Sequence, residues 1–270
     1  MIFEKPVRID AAKQKISGRL NYTLWKWSDF IREPTENILL GDSRMANFDT
    51  EVIKELKGMD FKNMAYGGGT VPELIETFRF CQKKIKLKKV IIGVNFSLFN
   101  EYNSLNRCLE TKRIFGNRIF YFINKSVIKS SFILLKDRIT KNTTEIERPN
   151  IDKEKFWQEQ IKQTARKYYE KYKYPESYFA DLQEISDYCE ENNIELVFII
   201  FPIHSDLQDR IHEFERTSDL AQFKKDIGSL GKVHDFHLQN EKNSDKANFK
   251  DPFHYTNEYM MELINDVFQQ

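Results

Sequence analysis

The sequence lacks the features that mark several special classes of protein. Its 270 residues include three cysteines, Cys81, Cys108 and Cys189. An odd number of widely separated cysteines excludes a disulfide framework and a zinc site made of paired cysteines. The net charge is +1, so no overall field favours nucleic acid, and we predict no nucleic-acid partner.

Long apolar runs are also missing. No run approaches the roughly 18 consecutive apolar residues that predict a membrane-spanning helix. Residues 1–15 contain no apolar segment of the kind found in signal peptides. The compartment stays open: cytoplasmic if Met1 is the natural start, and extracytoplasmic if an N-terminal anchor has been removed.

The residues that are present predict a soluble α/β protein. Hydrophobic residues make up 40% of the chain, with 22 Phe and 12 Tyr to build a core. Short, continuously apolar segments alternate with segments of helical periodicity, which indicates parallel strands covered on both faces. The predicted strands are Ile38–Leu40, Phe61–Ala65, Val90–Val94, Glu195–Phe201 and Lys232–Leu238. The predicted helices are Asp49–Leu56, Val71–Lys84, Glu176–Asn192 and Thr256–Phe268.

The domain prediction is a single α/β domain over residues 1–270. Residues 1–36 are an N-terminal arm in this prediction. Residues 101–175 have no strand signal, much charge and many aromatic residues. We therefore interpret 101–175 as a helical insertion within the domain.

Small and polar residues follow the predicted strands. Gly41-Asp42-Ser43 follows the first strand, Gly67-Gly68-Gly69 the second, and Gly93-Val94-Asn95 ends the third. Asp251-Pro252-Phe253-His254 comes beyond the fifth strand. Each group alone has a structural explanation, such as a turn or a helix cap. Because α/β sheets place their sites at the carboxyl ends of the strands, the joint order predicts one site.

These residue types suit acyl transfer. The Ser43 hydroxyl becomes a nucleophile when a base takes its proton, and His254 is the candidate base. Asp251 lies three residues earlier, where it can orient the imidazole and stabilise the imidazolium. Donors to an oxyanion would be the Ser43 backbone N–H, a glycine N–H from 67–69 and the Asn95 side-chain amide.

Four blocks of the sequence resemble the signature blocks of the SGNH/GDSL hydrolase family. They are Gly41-Asp42-Ser43, Gly68 within Asn63–Thr70, Gly93-x-Asn95 and Asp251-x-x-His254. The resemblance covers residues 37–100 and 195–268, and it implies a three-layer α/β/α flavodoxin-like fold with a parallel five-stranded sheet. It also implies Ser43, Asp251 and His254 as the catalytic residues, and Ser43, Gly68 and Asn95 as the oxyanion hole. A serine mechanism of this kind uses no cofactor and no metal.

The chain departs from the family pattern at Arg44, Phe96 and Ala65, where the family usually has Leu, Asp and Gly. These departures, the N-terminal arm and the insertion make it more similar to the bacterial branch that modifies surface polymers. The resemblance therefore implies an acyl ester hydrolase or acyltransferase acting on O-acyl groups of a small molecule or a cell-surface polysaccharide. The alternative is a non-catalytic module that binds carbohydrate or a protein partner.

Two further residues are candidates for substrate binding. Arg44 could bind a carboxylate or phosphate, although a solvated or ion-paired arginine is the favoured interpretation. His204 follows the fourth strand and could line the pocket, with a surface-loop histidine as the alternative. His234 and His237 have no ligand spacing typical of a metal site.

Residues 113–139 combine apolar residues with basic ones. Six basic side chains and one acidic side chain give this segment a charge of +5. The segment could be a lid bordering the cleft, a surface for an anionic polymer or a helix at a membrane surface. The favoured alternative is a helix packed on the core with solvated lysines. The oligomeric state stays open.

Overall fold

The protein is described by a computed structural model that covers residues 21–140 and 152–268. These residues form two compact units. One unit contains residues 21–34 and 106–140, and the other contains residues 35–105 and 152–268.

The larger unit is built on a parallel five-stranded sheet. Its strands are β1 (Asn37–Leu40), β2 (Lys62–Asn63), β3 (Lys89–Val94), β4 (Glu195–Ile200) and β5 (Lys232–Asp235). The strand order is β2-β1-β3-β4-β5, and every neighbouring pair is parallel. This order is that of the flavodoxin-like doubly wound folds. The predicted α/β fold class is therefore confirmed.

Helices cover both faces of the sheet because its strands are apolar on both faces. Leu39, Ile91 and Val197 belong to a core cluster that also contains residues of the helices at 50–57 and 257–268. Their neighbours along the strands, such as Ile38 and Ile92, are fully buried too and point to the opposite face because side chains alternate along a strand. The result is three layers with two apolar interfaces.

Most helices of this unit begin where the sequence supplies a cap. The helices are α2 (Ser43–Ala46), α3 (Thr50–Lys57), α4 (Val71–Cys81), α8 (Lys153–Glu159), α9 (Ala165–Tyr169), α10 (Glu176–Glu191), α11 (Ser205–Glu213), α12 (Thr217–Ser229), α13 (Glu241–Ser244) and α14 (Asn257–Phe268). A π-helical stretch, Gln160–Thr164, joins α8 to α9. Thr70 and Glu73 form a reciprocal capping box at α4, with Pro72 in the first turn. The hydroxyl of Thr256 accepts the N–H of Tyr259 and so caps α14.

Two predicted strands are shorter than expected. The second was predicted over Phe61–Ala65, but regular pairing covers only Lys62 and Asn63. The chain continues beside β1 through single bonds such as Met64 N–H to Leu39 O, 2.8 Å. The fifth ends at Asp235 instead of Leu238, because a tight turn follows in which Leu238 N–H donates to Phe236 O.

The smaller unit is helical. It contains α1 (Tyr22–Arg32), α5 (Cys108–Gly116), α6 (Arg118–Ile123) and α7 (Lys125–Thr140). Its core contains Leu24, Trp25, Ile114 and Val127, all 8% exposed or less. The described part of the predicted 101–175 segment contains the helices of residues 108–140 and 153–169, and these divide between the units, since α8 and α9 belong to the sheet unit. That residues 113–139 border the cleft stays a prediction.

No helix within residues 21–140 and 152–268 is long and apolar enough to cross a membrane. All three cysteines are free thiols and buried, where they pack as small apolar side chains.

Candidate active site

A sharp turn carries the chain from β1 to α2, and Gly41 makes it possible. Its φ of +151° lies in the region that favours glycine, and a Cβ there would lie 2.8 Å from the Gly93 carbonyl oxygen. The Gly41 carbonyl accepts the Tyr66 N–H at 3.0 Å, which ties the turn to the segment after β2. Ser43, half-buried, is therefore the first residue of α2, just beyond the carboxyl end of the strand.

The three residues predicted to be catalytic lie in one hydrogen-bonded row. Ser43 Oγ is 2.7 Å from His254 Nε2. His254 Nδ1 is 2.9 Å and 2.8 Å from the two carboxylate oxygens of Asp251. A carboxylate only accepts hydrogen bonds, so Nδ1 carries the proton and Nε2 is left to accept one from the serine hydroxyl. The side chains of His254 and Asp251 are 32% and 15% exposed, so the row opens to solvent at the imidazole.

A small antiparallel hairpin fixes His254. Its strands are β6 (Phe249–Asp251) and β7 (His254–Tyr255). Asp251 Oδ1 also accepts the backbone N–H groups of Phe253, 2.9 Å, and His254, 3.1 Å, which closes the turn locally. The Pro252 carbonyl accepts the His204 N–H at 3.0 Å, so the loop after β4 anchors the hairpin as well.

The hairpin is joined to the serine turn by Tyr255. Its hydroxyl donates to the Arg44 carbonyl oxygen at 2.7 Å, and the side chain is buried. Burial raises the pKa of the Tyr255 phenol well above its ordinary value, so it stays a donor at any physiological pH. The sequence pattern alone does not single out Tyr255. Its position directly after His254 was the available signal.

Beneath the serine lies a buried polar network centred on Asp42. Its carboxylate accepts four hydrogen bonds: Arg44 N at 2.9 Å, Arg44 Nε at 3.1 Å, Arg44 Nη2 at 2.8 Å and Asn95 Nδ2 at 2.8 Å. Asp42, Arg44 and Asn95 are each 5% exposed or less. A buried carboxylate requires such partners, because desolvation of an unpaired charge is costly.

The same network orients the Asn95 amide. Its oxygen accepts Ser97 Oγ at 2.6 Å and the Leu98 N–H at 3.1 Å, while its nitrogen donates to Asp42. These three bonds fix which end of the amide is the donor. Since an amide nitrogen carries two hydrogens, one remains beyond the bond to Asp42.

Gly68 lies in a tight turn after β2. Its φ is +60°, and Gly69 N–H donates to Tyr66 O at 3.0 Å, the pattern of a type II turn with glycine at its third position. Gly68 is exposed, whereas Gly69 is buried against the Gly41 carbonyl, where a Cβ would approach to 2.9 Å. Asn63 supports the region, because its amide nitrogen donates to the carbonyls of Met45 at 2.9 Å and Phe48 at 3.1 Å.

Arg44 and His204, the two candidates for substrate binding, both contact other residues of the protein. Arg44 is 3% exposed, and its guanidinium binds Asp42, so the ion-paired arrangement is the one observed. His204 is 2% exposed. Its Nδ1 accepts the Asp206 N–H at 3.1 Å and its Nε2 lies 3.1 Å from the Ser244 carbonyl. His204 thus caps α11, and a contact between His204 and substrate stays a prediction.

Two other titratable groups lie near Arg44: Tyr168 is half-buried and His237 is buried. Desolvation raises the pKa of Tyr168, against the lowering effect of Arg44. Burial, with Lys224 and Arg44 adding to its effect, lowers the pKa of His237 to about 3. Both residues are therefore neutral near pH 7. Within the described residues, no three His, Cys, Asp or Glu side chains are grouped to hold a metal ion.

Comparison with known proteins gives similarity of structure only. No protein-family model matches the chain, and no curated protein sequence matches it. A GDSL-like lipase from Bacteroides thetaiotaomicron VPI-5482 is similar at 10% identity, with a TM-score of 0.45 over 90% of this chain and 97% of that one. A lipase/acylhydrolase from Enterococcus faecalis is similar at 11% identity, with a TM-score of 0.44 over 86% of this chain and 93% of that one. In the order of its motifs, the chain resembles the SGNH/GDSL hydrolases.

Proposed function

We propose that this protein is a serine-dependent acyl ester hydrolase or O-acyltransferase with Ser43 as its nucleophile. The observation that supports the proposal is the row of Ser43, His254 and Asp251. The distance from Ser43 Oγ to His254 Nε2 is 2.7 Å, and His254 Nδ1 lies 2.8 Å from the nearer Asp251 oxygen. A general base within hydrogen-bond reach of the nucleophile, itself oriented by a third group, is the arrangement that activates a serine.

The reaction proceeds in two halves. As Ser43 Oγ bonds to the acyl carbon, His254 Nε2 takes the hydroxyl proton and the carbonyl electron pair moves onto oxygen. Collapse of this oxyanion expels the alcohol, which receives the proton from His254, and leaves an ester on Ser43. An acceptor hydroxyl then attacks that ester with His254 again as base, and Ser43 is regenerated with its proton. Water as acceptor gives hydrolysis, and a sugar hydroxyl gives acyl transfer.

The oxyanion would be held by three donors. They are the backbone N–H groups of Ser43 and Gly68 and the second hydrogen of the Asn95 amide. Asn95 is suited to the role because its orientation is already fixed by bonds to Asp42, Ser97 and Leu98. Preorganised donors stabilise developing charge without reorganising during the reaction.

Because the His254 side chain is 32% exposed, a bulky alcohol can approach from solvent. We propose a cell-surface polysaccharide for that alcohol, in line with the resemblance to polymer-modifying proteins.

The test compares Ser43→Ala with Ser229→Ala, a matched loss of a hydroxyl at an exposed position of α12. Wild type and Ser229→Ala are expected to hydrolyse p-nitrophenyl acetate and to be labelled by a fluorophosphonate probe. Ser43→Ala is expected to do neither while keeping its thermal stability, because its hydroxyl is a site group and not a packing group. Wild-type hydrolysis by Ser43→Ala would refute the assignment. No labelling of the wild type would favour the non-catalytic binding module.

Acceptor and acyl preference are measured next. Acetylated glycans and esters of increasing chain length are offered with and without excess sugar alcohol. The relative turnover of the acetyl and longer esters then gives the acyl preference. Transfer to the sugar, detected as a new acylated product, would identify an acyltransferase.

A further inference from the structure

The helix α7 has a second apolar face that no described residue of its own unit, within 21–34 and 106–140, covers. Ile128, Phe132, Leu135 and Ile139 are 40%, 67%, 54% and 73% exposed. At 3.6 residues per turn these four positions fall within an arc of about 60°, so they form one stripe along the helix. The opposite side carries Val127 and Ser130, both fully buried.

The core of the smaller unit is therefore built without this stripe. Val127 packs with Leu24, Trp25 and Ile114, so α7 already satisfies its packing on the inward side. The preceding helix α6 adds further exposed apolar side chains: Ile119 69%, Phe120 42%, Phe122 50% and Ile123 60%. Soluble monomers rarely leave so much apolar surface without a binding role. This result opposes the core-packed interpretation, in which the apolar residues would be buried.

Lysines border the stripe on one side. Lys125, Lys129 and Lys136 are exposed, and they fall between about 60° and 100° from Ile128 around the helix axis. Over residues 113–139 the net charge is +5. The surface is thus apolar along its centre and basic along its flank.

The exposed apolar stripe and its basic flank together indicate what kind of partner binds this surface. A second copy of the chain would present the same +5 segment, so charge repulsion opposes docking of stripe on stripe. An anionic sugar polymer matches the charge but has little to cover Phe132 or Ile139. An anionic lipid surface matches both, since apolar side chains enter the boundary between headgroups and acyl chains while lysines reach the headgroups.

We propose that the outer stripe of α7, Ile128, Phe132, Leu135 and Ile139, docks the protein onto a membrane surface that contains anionic lipids. The helix lies along the surface and does not cross it. Each lysine near an anionic surface strengthens binding by about fivefold, so reversing two of them is expected to weaken it at least about 25-fold. Removing one inserted aromatic or aliphatic side chain is expected to weaken binding by about tenfold or more.

The test is sedimentation of the purified chain with vesicles of phosphatidylcholine alone or mixed with phosphatidylglycerol. Two double variants probe the stripe and its flank: Phe132→Ser with Leu135→Ser, and Lys125→Glu with Lys129→Glu. Matched controls carry the same changes at exposed positions of the sheet unit, Leu56→Ser with Leu238→Ser and Lys83→Glu with Lys86→Glu. Unfolding midpoints of all variants should equal that of wild type, because every site is exposed.

The proposal is supported if wild type and both control variants bind the mixed vesicles only and if salt weakens this binding. The Phe132/Leu135 variant and the Lys125/Lys129 variant should both bind more weakly than wild type. Three outcomes overturn the proposal: wild type does not bind mixed vesicles, the Phe132/Leu135 and Lys125/Lys129 variants bind like wild type, or wild type binds both vesicle types equally. A concentration-dependent dimer in ultracentrifugation that the stripe variants abolish would also overturn it, in favour of a second copy. Ester hydrolysis measured in the same samples separates loss of docking from loss of the active site.

Discussion

Replacing Arg44 by Met tests the buried network beneath the serine. The methionine keeps most of the stem of the side chain but removes the guanidinium. Asp42 then loses the Nε and Nη2 bonds at 3.1 Å and 2.8 Å and keeps those from the Arg44 backbone N–H and the Asn95 amide. With Asp42 5% exposed, the remaining carboxylate is a buried charge with no cation beside it.

The expected destabilisation follows from these contacts. Two hydrogen bonds to a charged group contribute roughly 1.5–3 kcal/mol each, and breaking a buried ion pair costs about 3–5 kcal/mol. Arg44 has a compensating defect, because its buried Nη1 has no hydrogen-bond partner, which costs on the order of 1 kcal/mol. We therefore expect Arg44→Met to lower the free energy of unfolding by about 2–4 kcal/mol.

Urea unfolding provides the measurement, and Arg79→Met provides the control. Arg79 pairs with Asp181 and Glu184 but is 34% exposed, so its loss should cost less than about 1 kcal/mol. The double variant Asp42→Asn with Arg44→Met should recover part of the loss, because it removes the unpaired charge. A loss below about 1 kcal/mol for Arg44→Met, or strict additivity in the double variant, would refute this account of the network.

Arg44→Met should also lower catalytic activity, because it affects the orientation of Asn95. If Asp42 shifts toward solvent, the Asn95 amide loses the bond that orients its nitrogen. We expect kcat on p-nitrophenyl acetate to fall by about tenfold or more, with KM little changed, since an oxyanion donor acts in the transition state. A rise in KM with unchanged kcat would instead assign Arg44 to substrate binding.

Further predictions concern the base, the packing of the serine turn and the response to pH. His254→Ala should reduce kcat about as much as Ser43→Ala, since triad members act as a unit, and Asp251→Asn should be equal or somewhat milder. Gly93→Ala should cost about 1–3 kcal/mol in urea unfolding, because its Cβ would lie 2.4 Å from Phe201 Cε2. The pKa of His237, about 3 in the fold against about 6.5 unfolded, means that the unfolded chain binds the extra proton as pH falls below 6.5. Stability should thus decline on acidification, and His237→Gln should reduce the loss between pH 7 and pH 5 by about 2 kcal/mol; an equal loss in both proteins would contradict a buried neutral histidine.

Much of the fold was predictable because its determinants are local. A continuous apolar run as short and β-branched as Val90–Val94 favours a strand buried on both faces, and the alternation of such runs with helical periodicity indicates a parallel sheet. Asp251 and His254 are three residues apart, so a short turn suffices to bring their side chains together. The caps at Thr70 and Thr256 are equally local. Strand ends were less predictable, since the last residues of β2 and β5 depend on single backbone bonds to neighbouring strands.

The sequence by itself thus determined which residue types stand at the strand ends, and hence the chemistry available there. Only the tertiary structure decided which of them meet. Ser43 and His254 are 211 residues apart, and their contact depends on the sheet order and on the hairpin held by Tyr255. Arg44 illustrates the reason: local pattern favours a solvated or paired arginine, but its burial against Asp42 follows from packing across three strands and a hairpin. Burial and long-range contact are properties of the assembled layers, because they depend on what other parts of the chain place against each side chain.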